Sequence, residues 1–161
     1  MISIEKAADA MGHTYPKMMA FAGKSLAEWV IDFYRIFDAP VVLGLVGSGN
    51  NGGDTLVALK LLLDLGWDCS AYLVSDRTGD DLAADFIEAG GKVIELSDDA
   101  QYQHLRRLVL ECNILLDGLL GTGIRLPLRK PIPEVLEIVE LSLNQAEIRP
   151  QVVAVDCPSG I

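Results

Sequence analysis

The sequence predicts an α/β fold in three layers, a doubly wound and mainly parallel sheet with helices on both faces. Three observations carry this. Five short apolar runs alternate with helix-like segments, the pattern of βαβ units joined by right-handed crossovers. Half of the residues are apolar and only 6% are aromatic, as expected of aliphatic strands buried on both sides. The first run, VVLGLV at 41–46, feeds directly into a glycine-rich turn, GSGNNGG at 47–53. A βα junction needs such a turn when the backbone must approach a ligand. Glycine removes the Cβ, and the free N–H groups of a helix start favour an anion. The expected strand order is 3-2-1-4-5, a Rossmann-like arrangement.

Residues 3–11 read as a helix, with Ser3 as N-cap and Gly12 just past its end. A second helix is expected after Thr14, with Pro16 in its first turn, to about Phe37. Along it Met18, Met19, Ala22, Leu26, Trp29, Val30 and Phe33 recur at helical spacing, a stripe expected in the core. Asp38-Ala39-Pro40 ends that helix and leads into the first strand. Beyond the glycine turn a helix is expected to open near Asp54 and to stop at Gly66, before a second strand over Cys69 to Val74. Thr78-Gly79-Asp80-Asp81 is a capping signal for a helix to about Ala89, closed by Gly90-Gly91. Lys92 to Leu96 reads as the third strand. Ser97-Asp98-Asp99 then opens a helix to about Leu110, with its acidic residues in the first turn. Asn113 to Leu116 is the fourth strand and delivers Asp117. A long loop precedes a helix over Pro133 to about Asn144, and Val152 to Val155 is the fifth strand, delivering Asp156.

A chain of 161 residues is one domain by length. Its formal net charge of −10 argues against nucleic acid as a partner, because phosphate contacts need clustered Lys and Arg. No run of about 18 apolar residues exists, so no membrane-spanning helix is expected. No basic segment followed by an apolar one opens the chain, so no secretory signal is visible. Cys69, Cys112 and Cys157 are an odd number, widely spaced and without a C-x-x-C pair. Reduced thiols in a cytoplasmic protein fit best, with neither a zinc site nor a disulfide framework.

In the expected strand order, strands 1 and 4 flank the switch point where ligands bind beyond the carboxyl ends. The groups delivered there are Asn50, Asn51 and Asp54 after strand 1, Asp117 and 121–127 after strand 4, and 156–159 after strand 5. Oxygens from Asp117, Asn51 and Ser159 form a hard set that suits a weakly charged, monovalent cation rather than zinc. Asp156 remains as a proton-transfer group. Asp76, at the end of strand 2, either binds a ribose hydroxyl or caps the next turn. Arg125, Arg129 and Lys130 either draw phosphates into the crevice or solvate a loop. Cys157 reads as a packing residue, and His13 and His104 as surface or core-edge residues. The phosphate-binding signature G-x-x-x-x-G-K-[ST] is absent.

Three segments in order, GSGNNGGDTLVALKLL (47–62), DGLLGTG (117–123) and VAVDCPSGI (153–161), resemble the YjeF N-terminal domain family, with MMAFAG (18–23) as a fainter echo. The enzymatic members of that family are NAD(P)HX epimerases. The resemblance implies interconversion of the R and S forms of hydrated NADH and NADPH, a nucleotide repair reaction. It implies ligand contacts at Asn50, Asn51, Gly52, Gly53, Asp54, Gly121, Thr122, Gly123, Ile124, Arg125, Leu126, Pro127 and Asp156. Asp156 would be the catalytic residue, and Asn51, Asp117 and Ser159 would hold a potassium ion. It also implies an NAD(P)H-hydrate dehydratase as functional partner or as a second, kinase-like domain. Thr55 stands where the family pattern has glycine, and Ala20-Phe21 where it often has Glu-Asn. Family domains continue past Pro-Ser-Gly, so residues 1–161 read as one such domain shortened at its C-terminus. Two other readings stand beside this one, a catalytically inactive ligand-binding or scaffold domain and half of a dehydrogenase that binds plain NAD through Asp76. The long N-terminal helix, with its Met and aromatic content, is a candidate homodimer surface.

Overall fold

The computed structural model describes residues 11–12, 14–34, 40–123 and 126–159. Its strands are β1 Val41–Val46, β2 Asp68–Leu73, β3 Lys92–Glu95, β4 Ile114–Gly118 and β5 Gln151–Ala154. They form one sheet in the order β3-β2-β1-β4-β5, with every neighbouring pair parallel. The expected topology is therefore the observed one. The helices are α1 Tyr15–Phe33, α2 Asn50–Asp64, α3 Asp81–Glu88, α4 Gln103–Glu111 and α5 Ile132–Gln145.

Side chains alternate between the two faces of a strand, and in β1 both sets are buried. Val42 and Val46 join Leu56, Leu59 and Leu62 of α2 in one cluster. Leu43 and Leu45 join Leu105 and Val109 of α4 and Val135 and Val139 of α5 in the other. Helices thus cover both faces, and the third layer is real. α1 is the outermost helix and packs on α2 through Gly23, Ala27 and Val30, its buried residues. Gly23 makes the approach possible, since a Cβ there would stand 2.5 Å from Val57 Cβ. The contact stripe is narrower than the apolar periodicity suggested. Trp29 and Phe33 lie beside it, 43% and 63% exposed, stacked on each other with ring centroids 4.2 Å apart.

Several element boundaries differ from the sequence expectation, each for a local reason. α2 begins at Asn50 rather than near Asp54, so both asparagines and Gly52-Gly53 form its first turn. α1 ends at Phe33 with Tyr34 as C-cap. The expected continuation to Phe37 reaches residues outside those described, as do the helix over 3–11 and His13. β4 runs through Gly118, so Asp117 sits within the strand, opposite Leu45 on one side and Ala154 on the other. Before α4, two short 3-10 turns at Leu96–Asp98 and Ala100–Tyr102 replace the first part of the expected helix. Gln101 and Tyr102 there have φ of 75° and 57°. Asp99 still caps, but from a distance, accepting the N–H groups of His104 and Leu105 at 2.9 and 3.0 Å.

Candidate functional site

β1 brings the glycine turn to the carboxyl edge of the sheet. Gly49 is the N-cap of α2, and the first N–H groups of that helix have no intrahelical acceptor. Gly52 must be glycine, because a Cβ would stand 2.1 Å from Gly47 O. The far side of the turn is held by Arg77, a residue the sequence reading did not single out. Its Nε and Nη2 donate to Gly47 O at 3.0 and 2.8 Å, and Nη2 also donates to Gly49 O at 2.9 Å. Its Nη1 pairs with Asp80, which itself caps α3 by accepting Leu82 N at 2.9 Å. The Arg77 side chain is only 8% exposed. Two carbonyls of the turn face this guanidinium, so their trans peptide partners point the other way.

Asn51 joins the exits of three strands. Its Nδ2 donates to Leu120 O at 2.9 Å, beyond β4, and to Val155 O, beyond β5. Its backbone carbonyl accepts from Thr55 Oγ1 at 2.7 Å, and its Oδ1 lies against Gly121, 2.6 Å from where a Cβ would stand. Asp117 and Ser159 close a second link between the same exits. Ser159 donates from Oγ to Asp117 Oδ1 at 2.7 Å and from N to Oδ2 at 2.8 Å. Leu119 N donates to Asp117 Oδ1 at 3.3 Å, and Leu120 N to Ser159 Oγ at 3.1 Å.

Over these linked exits, and roofed by α1, lies a cavity of about 790 Å³. Asn50, Asn51, Asp54, Gly121, Thr122, Gly123 and Asp156 line it, together with Ser48, Gly49, Leu119, Leu120 and Val155. Gly52 and Gly53 are buried behind that wall. Asp117 and Ser159 do not line the cavity and reach it through Leu119 and Leu120. Leu126 and Pro127 are exposed and do not line it, and Ile124 and Arg125 lie outside the described residues. Tyr15, Met18, Met19 and Ala22 of α1 complete the lining, the last three from the stripe expected in the core.

Asp156 enters the cavity from an unusual backbone. Its φ is 71°, and Cys157 N donates to Val155 O at 2.9 Å, which makes a left-handed γ-turn centred on the aspartate. Such a turn is strained for a residue with a Cβ, and strain of this kind is kept where a side chain must be aimed.

The chain matches the model of the YjeF-related protein N-terminus family over residues 16–161. It belongs to that family. It is 29% identical over 175 residues to an NAD(P)H-hydrate epimerase of Cenarchaeum symbiosum, covering 100% of this chain and 72% of the relative. It is likewise 29% identical over 161 residues to a bifunctional NAD(P)H-hydrate repair enzyme of Thermofilum pendens, covering 97% of this chain but only 29% of the longer protein. Among solved structures, that of a yeast protein superposes with a TM-score of 0.84 at 22% identity, covering 99% of this chain and 68% of the other, which speaks to the fold alone.

The other candidates stand outside the lining of this cavity. Asp76 Oδ1 accepts Thr78 N at 2.7 Å, the turn-capping role of its two alternatives, and Asp76 lines neither large cavity. Hydrogen bonds from the Thr78 hydroxyl and then from its backbone N–H hold the Asp76 carboxyl below the usual aspartate range. Burial pushes the Cys69 and Cys112 thiols up to about 12, so neither supplies a thiolate. Cys157 is free and half-buried, and His104 is exposed. Arg129 and Lys130 border a second cavity, with Lys130 ion-paired to Glu134. Among the described residues no three His, Cys, Asp or Glu stand together as a metal cluster, and no helix is long and apolar enough to cross a membrane.

Proposed function

We propose that this domain is an NAD(P)H-hydrate epimerase, an isomerase that interconverts the R and S forms of hydrated NADH and NADPH in nucleotide repair. The observation that carries the reading is Asp156, held by a strained turn in the lining of a cavity that the glycine turn and the start of α2 also line. The names of the relatives support the same activity.

Epimerisation inverts the ring carbon that bears the hydroxyl. Asp156 gives a proton to that oxygen, which leaves as water while the ring nitrogen's electron pair forms the new double bond. Water then adds to the opposite face and returns its proton to the carboxylate. The N–H groups at the start of α2 hold the diphosphate, with Asn50, Asn51 and the 121–123 segment closing around it. Gly52 and Gly53 serve by letting the turn pack tightly, and Asp54 flanks the ligand. A potassium ion fits the oxygen set of Asn51, Asp117 and Ser159. A single buried carboxylate among neutral oxygens suits a monovalent cation, and carboxylate lone pairs remain beyond those used by Ser159 and Leu119. Bound there, the ion would supply a fixed positive charge at the joined exits of β4 and β5. The S form would pass to an NAD(P)H-hydrate dehydratase, as a separate partner or a second domain. The exposed Trp29 and Phe33 pair on α1 is the surface for a homodimer.

Epimer exchange followed by chromatography tests the reading. Asp156→Ala is expected to lower turnover by about 10²–10⁴-fold, and replacing potassium with sodium to lower it in the wild type. Exchange undiminished in Asp156→Ala would remove the proposal.

A further inference from the structure

A second cavity, of about 420 Å³, lies against the first and shares with it Ser48 and the 119–120 segment. Its other walls come from Val74 and Ser75, just past β2, and from 128–132, leading into the first residue of α5. The strand order makes the pairing meaningful. The first cavity takes residues beyond β1, β4 and β5, and the second takes residues beyond β2, β1 and β4. The two cavities share Ser48, on the glycine turn, and together form a two-part trough along the sheet edge. From β2 to β5 is three strand spacings, about 14 Å at 4.7–4.9 Å each.

The two ends of the trough differ in chemistry. The first holds Asp156 and the amides of Asn50 and Asn51. The second has Val74, Leu128, Pro131 and Ile132 as surfaces for a flat uncharged ring, with Arg129 and Lys130 also in its lining. Within that wall Ser75 Oγ is buried and has no hydrogen-bond partner among the described residues. A buried hydroxyl left unpaired is costly, and a ring nitrogen or exocyclic amine would satisfy it.

We infer that the second cavity seats the adenosine end of the dinucleotide, the half that takes no part in the reaction, with the diphosphate crossing the glycine turn at Ser48. This deepens the proposed epimerase reading and rests on it. The reacting ring is then fixed at Asp156 by binding made at the far end of the trough, which is how a remote group contributes to orientation at a reacting centre.

Calorimetric titration with the two halves of the ligand tests this. ADP and nicotinamide mononucleotide are each titrated into wild type, Leu128→Trp, which fills the second cavity, and Ser75→Ala, which removes the buried hydroxyl. Leu128→Trp is expected to weaken ADP at least 10-fold and to leave nicotinamide mononucleotide within about 2-fold. Ser75→Ala is expected to weaken ADP about 3–10-fold, as for one lost hydrogen bond, and it keeps the test alive if the bulky variant fails to fold. ADP binding unchanged in Ser75→Ala, no ADP binding to wild type, or equal loss of both halves would overturn the assignment. Wild type that binds both halves as expected yet exchanges no epimers would strike the epimerase reading and leave the adenosine seat standing.

Discussion

Asp99 and Asp117 are both buried, at 3% and 8% exposure, and each carboxylate receives three hydrogen bonds. What those bonds hold is entirely different. Asp99 serves one corner: the N–H groups of His104 and Leu105 at the start of α4, and Tyr72 OH at 3.1 Å from β2. Asp117 spans 42 residues of sequence to Ser159 and so fastens the loop beyond β4 to the loop beyond β5, behind the cavity that Asp156 enters. An equal count of bonds makes one aspartate a helix cap and the other a brace for the site. Separation along the chain, rather than burial, tells them apart.

The comparison breaks most visibly at Asp117. Asp117→Ala leaves three donors without their acceptor, with an expected loss of about 3 kcal/mol in stability and roughly 100-fold in epimer exchange per folded molecule. Exchange retained at wild-type level in the folded fraction would reduce Asp117 to the same class as Asp99. Asp99→Ala is expected to cost about 2–3 kcal/mol in denaturant unfolding, as a lost cap plus an orphaned buried phenol, with turnover of the folded protein unchanged.

Acid sharpens the contrast. Burial raises the Asp99 pKa, but the N–H groups of His104 and Leu105 and the Tyr72 hydroxyl more than offset it, so its carboxyl lies below the usual aspartate range. A group whose folded pKa is depressed stabilises the fold above its unfolded pKa, about 3.9, and loses that contribution as pH falls through the folded value. The stability gap between wild type and Asp99→Ala should therefore be constant above about pH 5 and shrink below about pH 4. The smallest effect belongs to Tyr72→Phe. It removes one of the three bonds and should cost about 1 kcal/mol, read as a shift in the unfolding midpoint without any change in exchange.

The sheet was legible because aliphatic runs and glycine breaks state it directly, and its order followed from the crossover rule. Asn51, Asp156 and Gly121 to Gly123 were legible as groups that the strand exits deliver to the cavity, whereas Asp117, expected beside them, lies within β4 and does not line it. The start of α2 was not, since glycine is a poor helix former and Gly52-Gly53 read as turn rather than as first helical turn. The α1 wall was hidden for another reason. Met18 and Met19 share the periodicity of core residues, and periodicity gives a face without naming what the face meets. Asp99 was recognised as part of a capping signal but assigned to the wrong turn, because its side chain skips the 3-10 segment to reach His104. Arg77 offered only its place three residues before a capping aspartate.

That arginine has a consequence for how the ligand cradle is inherited. The shape of GSGNNGG is set in part by a side chain 30 residues downstream, donating to Gly47 O from the corner between β2 and α3. Transplanted alone into another βα junction, the heptapeptide would arrive without its external splint and would relax to whatever curvature the new host allows. The smallest portable unit is the whole stretch from β1 to the first turn of α3.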